Sequence, residues 1–380
     1  MHYLDNSATT KPCQAAVNAA VAAMTEDFGN PSSLHRLGLN AENIMTGARR
    51  TLSAQLTGSV ADADSILFTS GATESNNLAI LGSAEANRRA GHTILTTTIE
   101  HPSVLEPLAH LESEGWRVVK ISPRADGSFS PDDFAAAADE DTVLVSVMLV
   151  NNEVGTILPV GEIARAVRRK NPKILVHCDA VQAFGKIPFK AASLGADLVS
   201  VSGHKLYAPK GIGALYVRKG VRCRPRLYGG GQQRGFRPGT EPIPQIAAFA
   251  AAVADVRQRM EETLSRYLSL KDHLLRRLSV CEEVLINSPA EAAPYIVNLS
   301  AGRVRSEVML HFLEQEGIYV SSGSACSKGA KSHVLEAMKL PPARIDSALR
   351  VSFSRETTEA DIDAFADRLL LGLKTLATAR

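Results

Sequence analysis

The feature that most constrains the fold is a regular alternation, over the first two thirds of the chain, of short β-branched runs with longer helical patterns. Alternating strands and helices of this kind form a largely parallel sheet with helices on both faces. The clearest helical patterns cover residues 74–90 and 160–170, and the predicted strands are residues 65–69, 93–97, 143–150, 174–178, 198–201 and 214–217. The sequence therefore predicts an α/β fold.

A second structural unit follows a long helical pattern at residues 243–278, whose apolar spacing suits a connector between domains. Beyond it we predict a helix at 307–316, a last helix that begins with a capping box of Thr358 and Asp361, and strands at 295–299, 319–321 and 349–353. The predicted domains are a large one at residues 12–255 with a mostly parallel sheet, and a smaller α+β one built from residues 1–11 and 256–380.

Charge and cysteine usage exclude several classes of protein. The 42 basic and 40 acidic residues are interspersed, which favours neither direct nucleic-acid binding nor a polybasic membrane tether. The five cysteines form no CxxC or Cys/His ladder, so neither a disulfide framework nor a metal site is indicated. The longest nearly apolar run, residues 246–256, is too short to span a bilayer. We expect a cytoplasmic enzyme of small-molecule chemistry.

Three separate signals together indicate a pyridoxal phosphate site. In "FTSGATESNNLAI" a strand leads through a small-residue turn to a helix that begins near Thr73, and such a helix start suits a phosphate. Asp179 follows one predicted strand and Lys205 follows another. Taken singly, the turn could serve packing, Asp179 could cap a helix and Lys205 could be a surface group. Together they match the phosphate anchor, pyridinium partner and Schiff-base lysine that this cofactor needs.

The chain resembles the cysteine desulfurases of the NifS/IscS type from Leu4 to Phe353. The motifs that carry the resemblance are "LDNSATT", "SGATESNN", "EHPSVL", "NNEVG", "DAVQAFGK", "SGHKLYAPKGIG", "GGGQQRGFRPGT" and "SSGSAC". The resemblance implies the aspartate-aminotransferase-like fold (fold type I of pyridoxal-phosphate-dependent transferases) in its class V branch. It also implies a homodimer that converts L-cysteine to L-alanine and holds the sulfur as a persulfide on Cys326.

The resemblance also implies a role for each matched residue around the cofactor. Lys205 would form the Schiff base and then act as the base at the substrate Cα, and Asp179 would keep the pyridine nitrogen protonated. His101 would stack on the ring and exchange a proton with the substrate thiol. The remaining cofactor contacts would be Asn152 and Gln182 at the 3-oxygen, Ala72, Thr73, Ser202 and His204 at the phosphate, and Thr240 at the phosphate of the other subunit.

The substrate contacts implied are Asn6, Asn152 and Arg350. Arg350, in "LRVSFS", could pair the substrate carboxylate bidentately, and Arg355 is its rival for this role. Asn6 stands where the family often has an aromatic residue, so the wall on the substrate side is expected to differ. Cys326 lies in a run of serines, glycines and alanines, and Lys328 and Lys331 would favour its thiolate.

Alternative functions remain open at this level. A class V aminotransferase or lyase acting on another amino acid would not need Cys326, and a non-catalytic sulfur-transfer scaffold would not need Lys205 with Asp179. Selenocysteine lyase activity is a closer variant. The sulfur acceptor, whether an iron–sulfur scaffold or a tRNA-thiolation enzyme, is not specified by the sequence.

Overall fold

The chain folds around one large and one small β-sheet. The structure, a computed structural model, describes residues 1–322 and 331–376. The strands are β1 His2–Tyr3, β2 Ile66–Thr69, β3 Thr93–Thr97, β4 Arg117–Ile121, β5 Thr142–Met148, β6 Leu175–Asp179, β7 Leu198–Ser202, β8 Gly213–Val217, β9 Val284–Ile286, β10 Ile296–Ala301, β11 Ile318–Tyr319, β12 Ser321–Ser322 and β13 Ala348–Ser352. The helices are α1 Gln14–Thr25, α2 Arg36–Leu56, α3 Ala72–Asn87, α4 Pro102–Ser113, α5 Pro131–Ala137, α6 Val160–Lys170, α7 Ile243–Gln258, α8 Met260–Leu278, α9 Ser306–Glu314, α10 His333–Ala337, α11 Pro342–Asp346 and α12 Glu359–Thr375.

The large sheet has seven strands in the order β2-β8-β7-β6-β5-β3-β4. All neighbouring strands are parallel except β8, which runs antiparallel to both β2 and β7. Every residue of β2, β3, β5, β7 and β8 is buried, because helices cover both faces of the sheet. This confirms the predicted α/β class. Six strands of this sheet begin and end within two residues of the predicted ones, and the edge strand β4 was not predicted.

The small sheet is antiparallel, with the strand order β12-β13-β10-β9. Helix α12 packs against α8 and α9, and it begins with the predicted capping box, in which Thr358 and Asp361 each accept a hydrogen bond from the other's backbone N–H. The second unit is therefore a smaller α+β one, as predicted. The division of the chain at residues 255 and 256 stays a prediction.

The connector differs from the single long helix that the sequence predicts. It breaks at Arg259, where φ is −116° and ψ is 9°, into α7 and α8. Helix α7 packs against α1 and α2, whereas α8 packs against α12. Because α7 and α8 pack against different helices, one continuous helix could not make both sets of contacts.

The first ten residues join the two sheets. Strand β1 pairs with β11, and Asp5 forms a bridge with Ser352 at the end of β13. Further on, the backbone N–H of Thr10 donates to the carbonyl of His204 beyond β7 (2.8 Å). The segment between these anchors carries Ser7 and Ala8 past the carboxyl edge of the large sheet, where open α/β sheets bind ligands.

Candidate active site

A cavity of about 450 Å³ lies at this edge. It brings together most of the residues that the sequence predicts for the cofactor and substrate, namely Ala72, Thr73, His101, Asn152, Asp179, Gln182, Ser202, His204, Lys205 and Arg350. These residues come from loops and turns that follow different strands of the large sheet, and from β13 of the small one. The two sheets thus contribute to one site.

One end of the cavity is suited to an anion. Helix α3 begins there, and its N-cap residue, Gly71, offers no side chain to the first backbone N–H groups. Ser202 and His204 line the same cavity. Burial, together with smaller contributions from the positive charges of Lys205, Lys210 and Lys186, lowers the pKa of His204 to about 4. A bound phosphate would offset this positive field.

Asp179 is a buried carboxylate at the end of β6. Its side-chain oxygens accept hydrogen bonds from the backbone N–H of Val181 (3.0 Å) and from Nδ2 of Asn76 (2.8 Å). These two donors fix the orientation of the carboxylate, which lines the cavity. A fixed carboxylate in this position is the partner that a protonated pyridine nitrogen requires.

Lys205 lies in the turn after β7 and reaches the N-terminal segment. Its Nζ donates to the backbone carbonyls of Ser7 (2.6 Å) and Ala8 (2.8 Å). Gln182 donates to the same Ser7 carbonyl (2.9 Å). A second lysine, Lys186, is buried behind Gln182 and donates to its Oε1 (3.2 Å). Burial lowers the pKa of Lys186 to about 7, with smaller contributions from the charges of Lys205 and Arg350.

His101 is the N-cap residue of α4. Its Nδ1 accepts a hydrogen bond from the backbone N–H of Ser103 (3.1 Å) and lies 2.8 Å from the Ser103 hydroxyl. Burial lowers the pKa of His101, the charge of Asp179 opposes this effect, and the charges of Lys205 and His333 add to it. Burial and the hydrogen bond from the Ser103 N–H both favour the neutral form of this imidazole, which lines the cavity.

Arg350 and Arg355 occupy different environments. Arg350 is buried on β13 and donates to the Asn152 carbonyl (2.9 Å) and to Asp5 (2.7 Å). Its Nε is buried and has no hydrogen-bond partner among the described residues. Arg355 instead pairs with Asp255 and stacks on the Tyr207 ring (4.4 Å), outside the residues that line the cavity.

Two predicted site residues that the structure describes, Asn6 and Thr240, are not among those that line the cavity. Asn6 is buried and donates its amide hydrogens to the carbonyls of Tyr3 (3.2 Å) and Ser352 (3.1 Å), which ties β1 to β13. Thr240 is exposed. Cys326 and its neighbour Lys328 lie outside the described residues. The roles assigned to these residues stay predictions.

Sequence reasoning missed several residues of the site. The sequence gives no indication of the contacts made by the carbonyls of Ser7 and Ala8, because every residue has a backbone carbonyl. Asn76, Ser103 and Lys186 lie inside the motifs "SGATESNN", "EHPSVL" and "DAVQAFGK", so position within a motif could have drawn attention to them. The contacts of Asn76 with Ser103 and Asp179 join distant parts of the chain and are visible only in the fold.

The donor set fits pyridoxal phosphate. The uncapped start of α3 and the lysines around His204 suit its phosphate, and Asp179 suits its ring nitrogen. Lys205 carries an amine that suits its aldehyde, and Gln182 and Asn152 line the same cavity with polar side chains. Apart from Lys186, which is buried behind Gln182, these groups line one cavity of about 450 Å³, a size typical of cofactor sites.

Comparison with known proteins gives a consistent result. The sequence description of the family "Aminotransferase class-V" matches residues 2–365. A protein from Methanosarcina thermophila named cysteine desulfurase IscS is 41% identical over 95% of this chain and 89% of its own length. A solved NifS-like protein is 36% identical, with a TM-score of 0.93, and the match covers 98% of this chain and 99% of that one. A solved structure of SspA in complex with cysteine is 31% identical, with a TM-score of 0.78 and coverage of 94% and 100%.

Proposed function

The chain belongs to the class-V aminotransferase family, and we propose that it is a pyridoxal-phosphate-dependent cysteine desulfurase, which removes sulfur from L-cysteine and leaves L-alanine. The observation that carries this proposal is the single cavity in which Lys205, Asp179 and the uncapped start of α3 meet. The name of the Methanosarcina relative and the cysteine bound by SspA support the choice of substrate.

The cofactor, when bound, supplies an electron sink for the bond broken at the substrate Cα. Lys205 binds its aldehyde and is then available as the base at Cα, since Nζ is held at the cavity by the carbonyls of Ser7 and Ala8. Asp179, oriented by Asn76 and Val181, keeps a proton on the ring nitrogen. Burial lowers the pKa of the neighbouring Lys186 to about 7, and the charge of Lys205 contributes to this shift.

Arg350 is proposed to bind the substrate carboxylate. It lines the cavity, and its buried Nε lacks a partner among the described residues, so it has a donor left for an incoming carboxylate. Asp5 and the Asn152 carbonyl hold the guanidinium in place from the other side. The placement of Arg355 against Asp255 and Tyr207 argues against the alternative arginine.

Cys326 is proposed to receive the sulfur. Its thiolate attacks the substrate sulfur, so that a sulfur–sulfur bond forms while the carbon–sulfur bond breaks and leaves its electron pair on the carbon. The described chain resumes close to the site, because Ser332 donates a hydrogen bond to Glu153, the neighbour of Asn152. The stretch from Cys326 to Ser332 spans at most about 20 Å when extended, which is compatible with access to the cavity.

A homodimer is proposed from the exposed surface. Val17, Val21 and Met24 lie on one side of α1 and are exposed, as are Phe28 and Leu34 just beyond it. An apolar surface of this kind marks an interface. The exposed Thr240 would then reach the cofactor phosphate of the partner subunit.

The location and the sulfur acceptor are the remaining proposals. Among the described residues no helix is long and apolar enough to cross a membrane. The cysteines at 13, 178, 223 and 281 are all free thiols, which fits a reducing compartment such as the cytoplasm. We propose that the persulfide sulfur passes to a protein acceptor that builds iron–sulfur clusters or thiolated products.

The activity is tested by incubating the purified protein with pyridoxal phosphate and L-cysteine and measuring L-alanine. We expect alanine from the wild type and from Lys219→Ala, a matched control at an exposed lysine. Lys205→Ala should give none. Alanine formation at the wild-type rate by Lys205→Ala would contradict the proposed role of this cavity.

A further inference from the structure

The hydrogen bonds around His101 determine which ring nitrogen carries the proton. The backbone N–H of Ser103 points at Nδ1 of His101 (3.1 Å), and a backbone N–H can only donate. Nδ1 must therefore present its lone pair. In the neutral imidazole the proton then resides on Nε2.

The neighbouring side chains reinforce this arrangement. Nδ2 of Asn76 contacts both Asp179 (2.8 Å) and the Ser103 hydroxyl (2.8 Å), so each amide hydrogen has one acceptor. The carboxylate of Asp179 accepts only, which excludes the flipped amide. The Ser103 oxygen thus accepts from Asn76, and its own hydrogen is directed to His101 Nδ1, 2.8 Å away. The chain of donors runs from Asn76 through Ser103 to His101.

We propose that Ser103 and Asn76 are positioning residues that hold His101 in the tautomer with its proton on Nε2, so that His101 meets the substrate sulfur as a hydrogen-bond donor. The second part of this proposal rests on the proposed function, because it concerns L-cysteine. The substrate sulfur accepts from Nε2–H through a lone pair, which both the thiol and the thiolate possess.

The other charged groups around His101 do not determine which ring nitrogen carries the proton. Asp179 at the end of β6 favours protonation of the ring, whereas Lys205 in the turn after β7 and His333 at the start of α10 oppose it. These charges act on the ring as a whole, while Ser103 acts on Nδ1 alone. Protonation of Nδ1 would also turn the N-cap of α4 into a repulsive contact with the Ser103 N–H.

The tautomer is tested by nitrogen NMR of protein labelled with ¹⁵N-histidine, in the cofactor-free form and across a range of pH. The His101 signal is assigned by its loss in His101→Gln. We expect the Nε2–H tautomer in the wild type. Ser103→Ala should raise the pKa of His101 by about half to one unit, because it removes one neutral donor that favours the unprotonated nitrogen.

The control variants separate this effect from loss of folding. Ser103→Thr keeps the hydroxyl and should restore the wild-type pKa, and Ser113→Ala, at the exposed end of the same helix, should not change it. An Nδ1–H tautomer in the wild type, or an unchanged pKa in folded Ser103→Ala, would overturn the positioning role. These readouts need no turnover, so they are independent of the proposed function.

Activity tests the link to the substrate. In Ser103→Ala KM for L-cysteine should rise, because a larger share of neutral His101 carries its proton on Nδ1 and cannot donate from Nε2 to the substrate sulfur, and Ser103→Thr should reverse the change. A change of tautomer seen by NMR with an unchanged KM would refute the donor role toward sulfur.

Discussion

At the scale of single residues, Asp179 and Lys205 have separable roles in the cavity. Asp179→Asn keeps the shape of the side chain but removes the charge that stabilises the protonated ring nitrogen. We expect the variant to bind pyridoxal phosphate, seen by its visible absorbance, while alanine formation falls by at least about a hundredfold. Unchanged turnover with full cofactor occupancy would remove the argument for a pyridinium partner.

The two arginines can be distinguished in the same way. Arg350→Lys should raise KM for L-cysteine by roughly tenfold or more, because an ammonium cannot pair a carboxylate bidentately. Arg355→Lys, whose side chain is held by Asp255 away from the cavity, should have a nearly unchanged KM. The measurement is steady-state kinetics with both variants at full cofactor occupancy. The reverse pattern would assign the substrate carboxylate to Arg355.

The sequence was enough to propose roles for residues where the cofactor requires a particular type of side chain. Lys205, Asp179 and the start of α3 could be assigned because each follows a strand and each suits one part of the cofactor. The hydrogen bonds of Asn76 to Ser103 and Asp179 could not, because they depend on which loops meet in three dimensions. The hydrogen bonds of Asn6 to the backbone of Tyr3 and Ser352 were not foreseen from the sequence, and its role at the substrate stays a prediction.

At the scale of elements, the glycine-rich segment around residues 229–242 is anchored by one buried side chain. Gln233 accepts from the backbone N–H of Phe68 (2.9 Å) and donates to Glu241 (2.8 Å). Gln233 and Arg234 adopt positive φ angles of 44° and 57°, which turn the chain so that this contact forms. The segment that carries Thr240 is thereby fixed to β2.

Loss of this anchor should be measurable. Gln233→Ala leaves the Phe68 N–H and the Glu241 carboxylate without their partner, and we expect the free energy of unfolding to fall by about 1–3 kcal/mol. Gln232→Ala, next to it and only partly buried, should cost much less. Denaturant unfolding of both variants provides the test. Equal stability of the two variants would show that Gln233 does not anchor the segment.

Local sequence predicted six strands of the large sheet, missed β4 and the helices α1, α2, α4 and α5, and was wrong about the continuity of the connector. The strand at 93–97 and the helix at 160–170 match the prediction, because β-branched runs and helical periodicity are local properties. No proline or glycine lies next to Arg259, so the sequence gives no signal for the break there. It arises because α7 and α8 pack on different helices, which is a property of the whole fold.

At the scale of the whole molecule, the proposed dimer predicts that each active site is built from two chains. Lys205→Ala and Thr240→Asp should each be nearly inactive, the second because its charge repels the cofactor phosphate. After subunit exchange, a heterodimer would contain one doubly altered site and one wild-type site. We expect it to recover about half of the wild-type activity, since one of its two symmetric sites is intact.

The control for this experiment is wild-type protein taken through the same exchange. Recovery in that control, with none in verified heterodimers, would place Thr240 in its own subunit's site. A monomer in solution would exclude the shared site altogether.

The central claim is that L-cysteine yields alanine while its sulfur is transferred to Cys326, and a single-turnover measurement tests it most directly. The holoenzyme is mixed with L-cysteine without any added thiol, and alanine is quantified while mass spectrometry of the peptide that contains Cys326 detects one added sulfur atom. We predict equal amounts of alanine and Cys326 persulfide, and neither product above background in Cys326→Ser. Alanine formed by Cys326→Ser at the wild-type rate, or sulfur found on a cysteine other than Cys326, would contradict this mechanism.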